Sequence, residues 1–433
     1  MYKNLKSREI SLDVEKKRPP QEFRVTNFAL NNSYKIEVSH KTSFISKERI
    51  LIEFKWIFCI LQLVGINGMN YSRSKDPCPI KKKKGWNIKK GLFSCCQSWW
   101  KYLVFCNLCI KTILGISGLI NFPDKMNEIT HVFHSVLLIL SFILIYRREH
   151  ALFQRTKELS RIYKRLPETN IRKKKYPFIA GFILILIFML TSFVLRFDLE
   201  EKHSELGKYI LLFHVDIHVL VFKILYYLTL ANELLIYTIG MIILSLMVIY
   251  YSFMCSLIRN VLKHLLKKLN NEFNSNFLSE DFKNLVLIYC EVVTCLDNMD
   301  EEWSLLAFVT VLNGMLGLFW CCYIVTFYSV TNPADYSNLL CFAITFLGFK
   351  LLILFSASTT NELLSKIKNG FRCITYRISN PHVGIRRRLK EYLTRETRLT
   401  LWKIYVMDMP LVITSFGALL TYGMLLGTLG KTS

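Results

Sequence analysis

Within 433 residues there is no glycine-rich turn to cradle a phosphate, no zinc-spaced cluster and no nucleophile in a strand–turn–helix context. An enzyme is therefore not expected, nor is a resident cofactor or metal. Cysteine is absent from the short segments 122–128, 196–208 and 329–337, so no disulfide framework is implied for the loops they form. The first fifty residues lack an apolar core and carry Lys16, Lys17, Arg18, Pro19 and Pro20 where one would stand. No cleavable leader is expected, and the first apolar block must direct insertion. Acids are scarce, 32 against 56 Lys and Arg, giving a formal charge of +24. The bases form no aromatic-interleaved stripe, which argues against a nucleic-acid partner.

What the chain has is apolar surface. Hydrophobic residues make up 52% of it and gather in blocks of roughly 18 to 25, the length that crosses a hydrocarbon core of about 30 Å. The spans expected are Trp99–Asn121, Ile129–Tyr146, Tyr176–Leu195, Leu228–Leu257, Ser304–Tyr328, Leu339–Phe355 and Tyr405–Leu429. The fold class is all-α, a polytopic membrane protein with seven transmembrane helices. Residues 51–71 are interrupted by Glu53, Lys55, Gln62, Asn67 and Asn70 and read as an amphipathic segment on the inner surface. An eighth crossing over 209–225 is opposed by His214, Asp216, His218 and Lys223, which suit an outer loop.

Basic residues set the orientation. They accumulate over Arg73–Lys90, Arg147–Lys175 and Lys366–Arg398, while the alternate loops are poor in them. By the positive-inside rule the N-terminus lies in the cytoplasm and the C-terminus outside. That inverts the arrangement of G-protein-coupled receptors. Tyr146-Arg147-Arg148-Glu149 and Asn332-Pro333-Ala334-Asp335-Tyr336 mimic motifs of that class, but they sit at an inner-surface anchor and an outer turn.

Helical periodicity continues beyond the bilayer. Leu257, Val261, Leu262, Leu265, Leu266 and Leu269 form one apolar stripe, and Leu285, Ile288, Tyr289, Val292, Val293 and Leu296 another. Leu363, Leu364, Ile367 and Phe371 mark a third, and Leu389–Trp402 leads toward the last span. These extensions suggest a packed cytoplasmic bundle at a subunit interface. The organisation expected is a cytoplasmic region over 1–98, four spans over 99–257, anchor helices over 258–303, two spans over 304–357, further anchor helices over 358–404, and the last span with a short outer tail over 405–433.

The last span is the best candidate for the working part. Asp408 can cap it and Pro410 suits its first turn, which makes the junction a natural hinge. Gly417, Thr421, Leu425 and Thr428 share one face, a candidate for lining water with leucine rings that gate by dewetting. Gly423-x-x-x-Gly427 is a small-residue face suited to helix packing.

The stretch Val406-Met407-Asp408-Met409-Pro410-Leu411-Val412-Ile413-Thr414-Ser415-Phe416-Gly417-Ala418-Leu419-Leu420-Thr421-Tyr422-Gly423-Met424-Leu425-Leu426 resembles the final segment of arthropod gustatory receptors, whose signature is TYhhhhhQF. Thr421-Tyr422 keeps the first half of that signature, and Thr428-Leu429 stands where Gln-Phe is usual. Leu61-Gln62-Leu63-Val64-Gly65-Ile66 is similar to the motif before that family's first span. The resemblance implies a chemosensory receptor that acts as a ligand-gated nonselective cation channel. It also implies a homo- or hetero-tetramer with related subunits in the plasma membrane of chemosensory dendrites, with four last helices around the pore. Thr421, Leu425, Thr428 and Leu429 are then the pore and gate positions. A small-molecule tastant would bind in the outer halves of the second to sixth spans, where this chain places His134, Thr191, Tyr227, Glu233, Tyr237, Trp320 and Tyr323. A transporter is the alternative reading. No internal repeat between the halves supports alternating access. A G-protein-coupled receptor stands behind both.

Overall fold

The computed structural model describes residues 57–58, 99, 101–110, 112–113, 115–117, 125–166, 219–272, 280–327, 333–375 and 383–429. All of them lie in the compact unit 43–433. The labelled helices are α1 (Lys125–Arg147), α2 (Glu149–Lys164), α3 (Val219–Glu272), α4 (Glu280–Phe327), α5 (Pro333–Thr375), α6 (Val383–Thr394) and α7 (Met409–Leu429). Two strands, β1 (Thr400–Leu401) and β2 (Tyr405–Val406), form an antiparallel hairpin. The segment 101–110 is also helical.

Helices α3, α4 and α5 contain 54, 48 and 43 residues. At about 1.5 Å per residue each is more than 60 Å long, roughly twice the hydrocarbon thickness. Among the described residues these three are long and apolar enough to cross a membrane, and shorter apolar helices cover Val132–Arg147 and Met409–Leu425. Their charges gather at one end of each. Arg259, Lys263, Lys267 and Lys268 crowd the end of α3, Glu291, Asp297, Asp300, Glu301 and Glu302 the first half of α4, and Glu362, Lys366, Lys368 and Arg372 the end of α5. These portions converge in one charged lobe that also takes in α2, α6 and the hairpin.

The lobe's interior is the set of stripes that periodicity marks. Val261, Leu262, Leu265 and Leu269 pack with Leu285, Val292, Val293 and Leu296, and Ile367 and Phe371 of α5 close the core. A Cβ on Gly370 would lie 2.7 Å from Leu269 Cδ2, so a larger residue there would have to push that side chain aside. Arg155 of α2, only 10% exposed, grips Glu302 of α4 through Nε (2.9 Å) and Nη2 (2.5 Å) and also reaches Glu158 (2.6 Å). A two-pronged ion pair of this kind fixes angle as well as distance.

At the membrane border, α1 and α2 are divided at Arg148, whose φ of −115° and ψ of 16° break the helix. Lys101 Nζ reaches Glu149 Oε2 at 2.9 Å and lies 4.8 Å from the centre of the Tyr146 ring. The Tyr-Arg-Arg-Glu sequence is thus an anchoring junction. Of the segment 51–71, only Ile57 and Phe58 are described; both are buried, Phe58 against Phe153 and Tyr250. The expected span over 176–195 lies outside the described residues.

Four boundaries differ from expectation. Residues 219–225, read as part of an outer loop, begin α3. Pro333 opens α5 instead of forming a turn, since its missing N–H costs nothing in a first helical turn. The helix expected to run from Leu389 to Trp402 stops at Thr394. The last span begins at Met409, and Tyr405-Val406 is a strand. The physical reason for the last two is the hairpin. Its tip holds Trp402 and Lys403 in the left-handed region, at φ 52° and 57°, which no right-handed helix admits. Asp300 of α4 accepts from the Thr400 N–H (2.5 Å) and hydroxyl (2.9 Å). Asn361 of α5 donates to the Leu399 and Met407 carbonyls and accepts from the Leu399 N–H, all within 2.9 Å.

In the lobe, His264 is partly buried and its Nε2 is buried without a hydrogen-bond partner. Burial, then Lys268 and Lys267, lower its pKa below the ordinary value of 6.5. The unfolded chain therefore takes up the proton first, and stability is lost as pH falls through 6.5 toward the depressed folded value. Thermal melts of the detergent-solubilised chain between pH 7.5 and 5.5 should show a falling midpoint. His264→Phe, which cannot titrate, should flatten that slope.

Candidate functional site

The site is built on α7. Asp408 caps it: Oδ1 accepts from the Leu411 N–H at 2.9 Å, and its carbonyl accepts from the Val412 N–H at 3.3 Å. Pro410 sits inside the first turn, where no carbonyl waits for its missing donor. The next turns are bound to themselves. Thr414 Oγ1 donates to the Pro410 carbonyl (3.0 Å) and Ser415 Oγ to the Val412 carbonyl (2.7 Å).

Only one side of α7 meets the other described elements. Val412 is buried, and Leu411 and Phe416 are partly buried against the core. Ser415, Leu419 and Gly423 are half-buried on the same side. Counting about 100° per residue, Gly417, Thr421, Leu425 and Thr428 lie about 180° around the helix from that side. All four are exposed, Leu425 at 54%. Ile413, Leu420 and Met424 are exposed beside them, at 70, 64 and 71%. A Cβ on Gly417 or Gly423 would meet no described atom within 4 Å, so among the described residues nothing packs tightly against either glycine.

The threonine hydroxyls do not require water for a partner. Thr421 Oγ1 donates to the Gly417 carbonyl at 2.9 Å and Thr428 Oγ1 to the Leu425 carbonyl at 2.8 Å. Such back-bonding meets the hydroxyl's need within its own helix. What distinguishes this face is that it points away from every other described element. Tyr422 is 60% exposed. The Leu429 side chain lies outside the described residues.

The candidate ligand-pocket residues divide into three groups. His134 of α1 lies 2.7 Å, Nδ1 to Oδ1, from Asn313 of α4, and the Phe346 ring of α5 meets its imidazole edge-on at 5.8 Å. With Asn313 as acceptor, Nδ1 carries the proton. Trp320 packs edge-on against Phe342 at 6.3 Å, and Tyr323 packs on Phe327 at 5.0 Å. Phe342 stacks on Phe346 at 6.3 Å, so Trp320, Phe342, Phe346 and His134 form one continuous row across three helices. Tyr227, Glu233 and Tyr237 belong to α3, but their side chains lie outside the described residues, as does Thr191 altogether.

Sequence reasoning missed Asn313, Phe342, Phe346 and Lys350. The signal for the aromatics was Gly314-x-x-Gly317 on α4: a Cβ on Gly317 would overlap the Phe346 ring, so the glycine makes the ring's seat. The signal for Lys350 was plainer, a lone base inside an apolar block. Lys350 is fully buried. Its Nζ donates to the Ser415 carbonyl of α7 at 3.0 Å and lies 5.1 Å from the centre of the Phe416 ring. A separate cleft of about 950 Å³ opens in the charged lobe, between α2, α4 and α6, and is lined in part by Glu158, Arg165, Glu291 and Arg388.

No family model and no curated protein matches the sequence. Solved structures do match the fold. The insect olfactory receptor OR5 from Machilis hrabei in complex with eugenol superposes with a TM-score of 0.56 at 13% identity, covering 88% of this chain and 99% of that one. The chain has the fold of an insect olfactory receptor. A second structure of OR5 from Machilis hrabei agrees, with a TM-score of 0.55 at 13% identity over 87% of this chain and 98% of that one. With its long apolar helices, the protein is a polytopic, all-α membrane protein.

Removing the α7 cap should fray its first turn. Asp408→Ala should cost about 1 kcal/mol of local helix stability, read as hydrogen exchange several-fold faster at the Leu411 and Val412 amides. Asp408→Asn, which keeps the acceptor, should leave exchange unchanged.

Proposed function

We propose that this chain is a chemosensory receptor subunit of the gustatory type, a ligand-gated nonselective cation channel opened by a small tastant. The observation that carries the reading is the exposed Thr421/Leu425/Thr428 face, turned directly away from the side on which α7 packs. An apolar helix that no other described element covers over most of its circumference is suited to meet other copies and a lumen. In this reading four subunits, identical or related, bring their α7 helices around a central pore, with Thr421, Leu425, Thr428 and Leu429 along the path. The charged lobe is cytoplasmic and anchors the assembly. The chain crosses the plasma membrane of a chemosensory dendrite seven times, N-terminus inside and C-terminus outside, with the domain order given by the charge pattern.

Two lines support the chemosensory class. The fold is shared with an olfactory receptor solved in complex with eugenol, and Thr421-Tyr422 carries half of the gustatory signature. The ligand site is assigned to the outer halves of the helices around the His134–Phe346–Phe342–Trp320 row, together with Thr191, Tyr227, Glu233, Tyr237 and Tyr323. Aromatic walls with a few hydrogen-bonding groups suit a small, partly polar molecule.

Whole-cell recording against sugars, bitter compounds and amino acids, with the chain expressed alone and with a related subunit, tests the proposal. It should give ligand-evoked cation current. Leu425→Ala should raise current at rest by loosening an apolar constriction, and Thr428→Phe should reduce the evoked current severalfold by narrowing the path. Saturable flux without channel-like current would mark a transporter instead. Loss of the response on blocking G proteins would mark a coupled receptor.

A further inference from the structure

Lys350 is the one charged residue between Leu339 and Phe355, and it is fully buried on α5. A buried ammonium is costly unless something answers its charge. Among the described residues no carboxylate does so. The groups that answer it are the Ser415 carbonyl at 3.0 Å and the face of the Phe416 ring at 5.1 Å, neighbours on α7. Its stem passes Gly314 of α4, where a Cβ would lie 3.6 Å from Lys350 Cβ, an ordinary contact distance, so the lysine runs alongside α4 on its way to α7.

We propose that Lys350 is a positioning residue that straps the inner third of α7 to α5 and makes Gly417 the pivot for the rest. Below the strap, α7 is held by the Asp408 cap and by Leu411, Val412 and Phe416. Above it, no described atom lies within 4 Å of where a Cβ on Gly417 would stand, and Leu420, Thr421, Met424 and Leu425 are exposed. Moving α7 away at Ser415 would leave an ammonium stranded in an apolar interior, whereas moving the part beyond Gly417 would strand no charge among the described residues. The outer part of α7 can therefore swing while its root stays in register. This assignment rests on α7 being the pore helix.

The test replaces the charge with an apolar side chain of similar length. In the full-length chain, Lys350→Met should speed hydrogen exchange at amides 412–419 on the order of tenfold and leave exchange over 261–269 in the lobe unchanged. In recordings it should raise the ligand-free fraction of maximal current by a similar factor and lower the half-maximal ligand concentration. Lys350→Arg, which keeps a cation, should restore both. If Lys350→Met does not reach the surface, Phe416→Leu, which removes the ring and spares the carbonyl, carries the same readouts with a smaller expected shift. Unchanged exchange over 412–419, or an arginine variant that behaves like the methionine one, would overturn the proposal. If the wild-type chain passes no current with any ligand, the channel reading fails, and the exchange measurement still decides whether Lys350 holds α7.

Discussion

Inside hydrocarbon every backbone amide must find its partner in its own helix, and α3, α4 and α5 meet that demand by running unbroken from the membrane into the charged lobe. The rest of the architecture depends on this continuity. Because the same three rods supply both the apolar body and the lobe's core, the two regions cannot rearrange independently. A rotation of α5 that moves Phe346 at one level also moves Ile367 and Phe371 at another. The close approaches at Gly317 and Gly370 leave little room for slack between the rods.

Helix α7 is the exception to this dense packing. Among the described residues it shares one narrow side with α4 and α5, and no other described element covers the remainder. Its root, by contrast, is specified several times over. Asp408 caps it, Lys350 grips it, and the hairpin before it is held by Asp300 and Asn361. Specification at one end and freedom at the other is the arrangement expected of an element that must return to the same place after moving.

Much of the helical framework was legible because membrane spans and amphipathic stripes are one-dimensional signals. Val261, Leu265, Val292 and Phe371 are buried as their spacing requires. The Asp408 cap was likewise readable, since it needs only a carboxylate three residues before a helical amide. The hairpin was not. Thr400, Tyr405 and Val406 are too few to register as strands, and what makes them strands is Asp300 and Asn361, 100 and 38 residues away from their partners. Trp402 and Lys403 carry no local sign of a left-handed backbone. The row from His134 to Trp320 was half visible: its polar and indole members stood out as residues, but their joining through Phe342 and Phe346 depends on how three helices are rotated about their axes.

The hairpin does not hold itself together. A ladder of two residues facing two is far too small to persist in water by itself, so it lasts only while its outside supports stay in place. Those supports come from two different helices, α4 through Asp300 and α5 through Asn361. The connection between lobe and membrane tail thus acts as a gauge block: it keeps its form at one separation of α4 and α5, and a shift in that spacing turns a stiff joint into a slack tether.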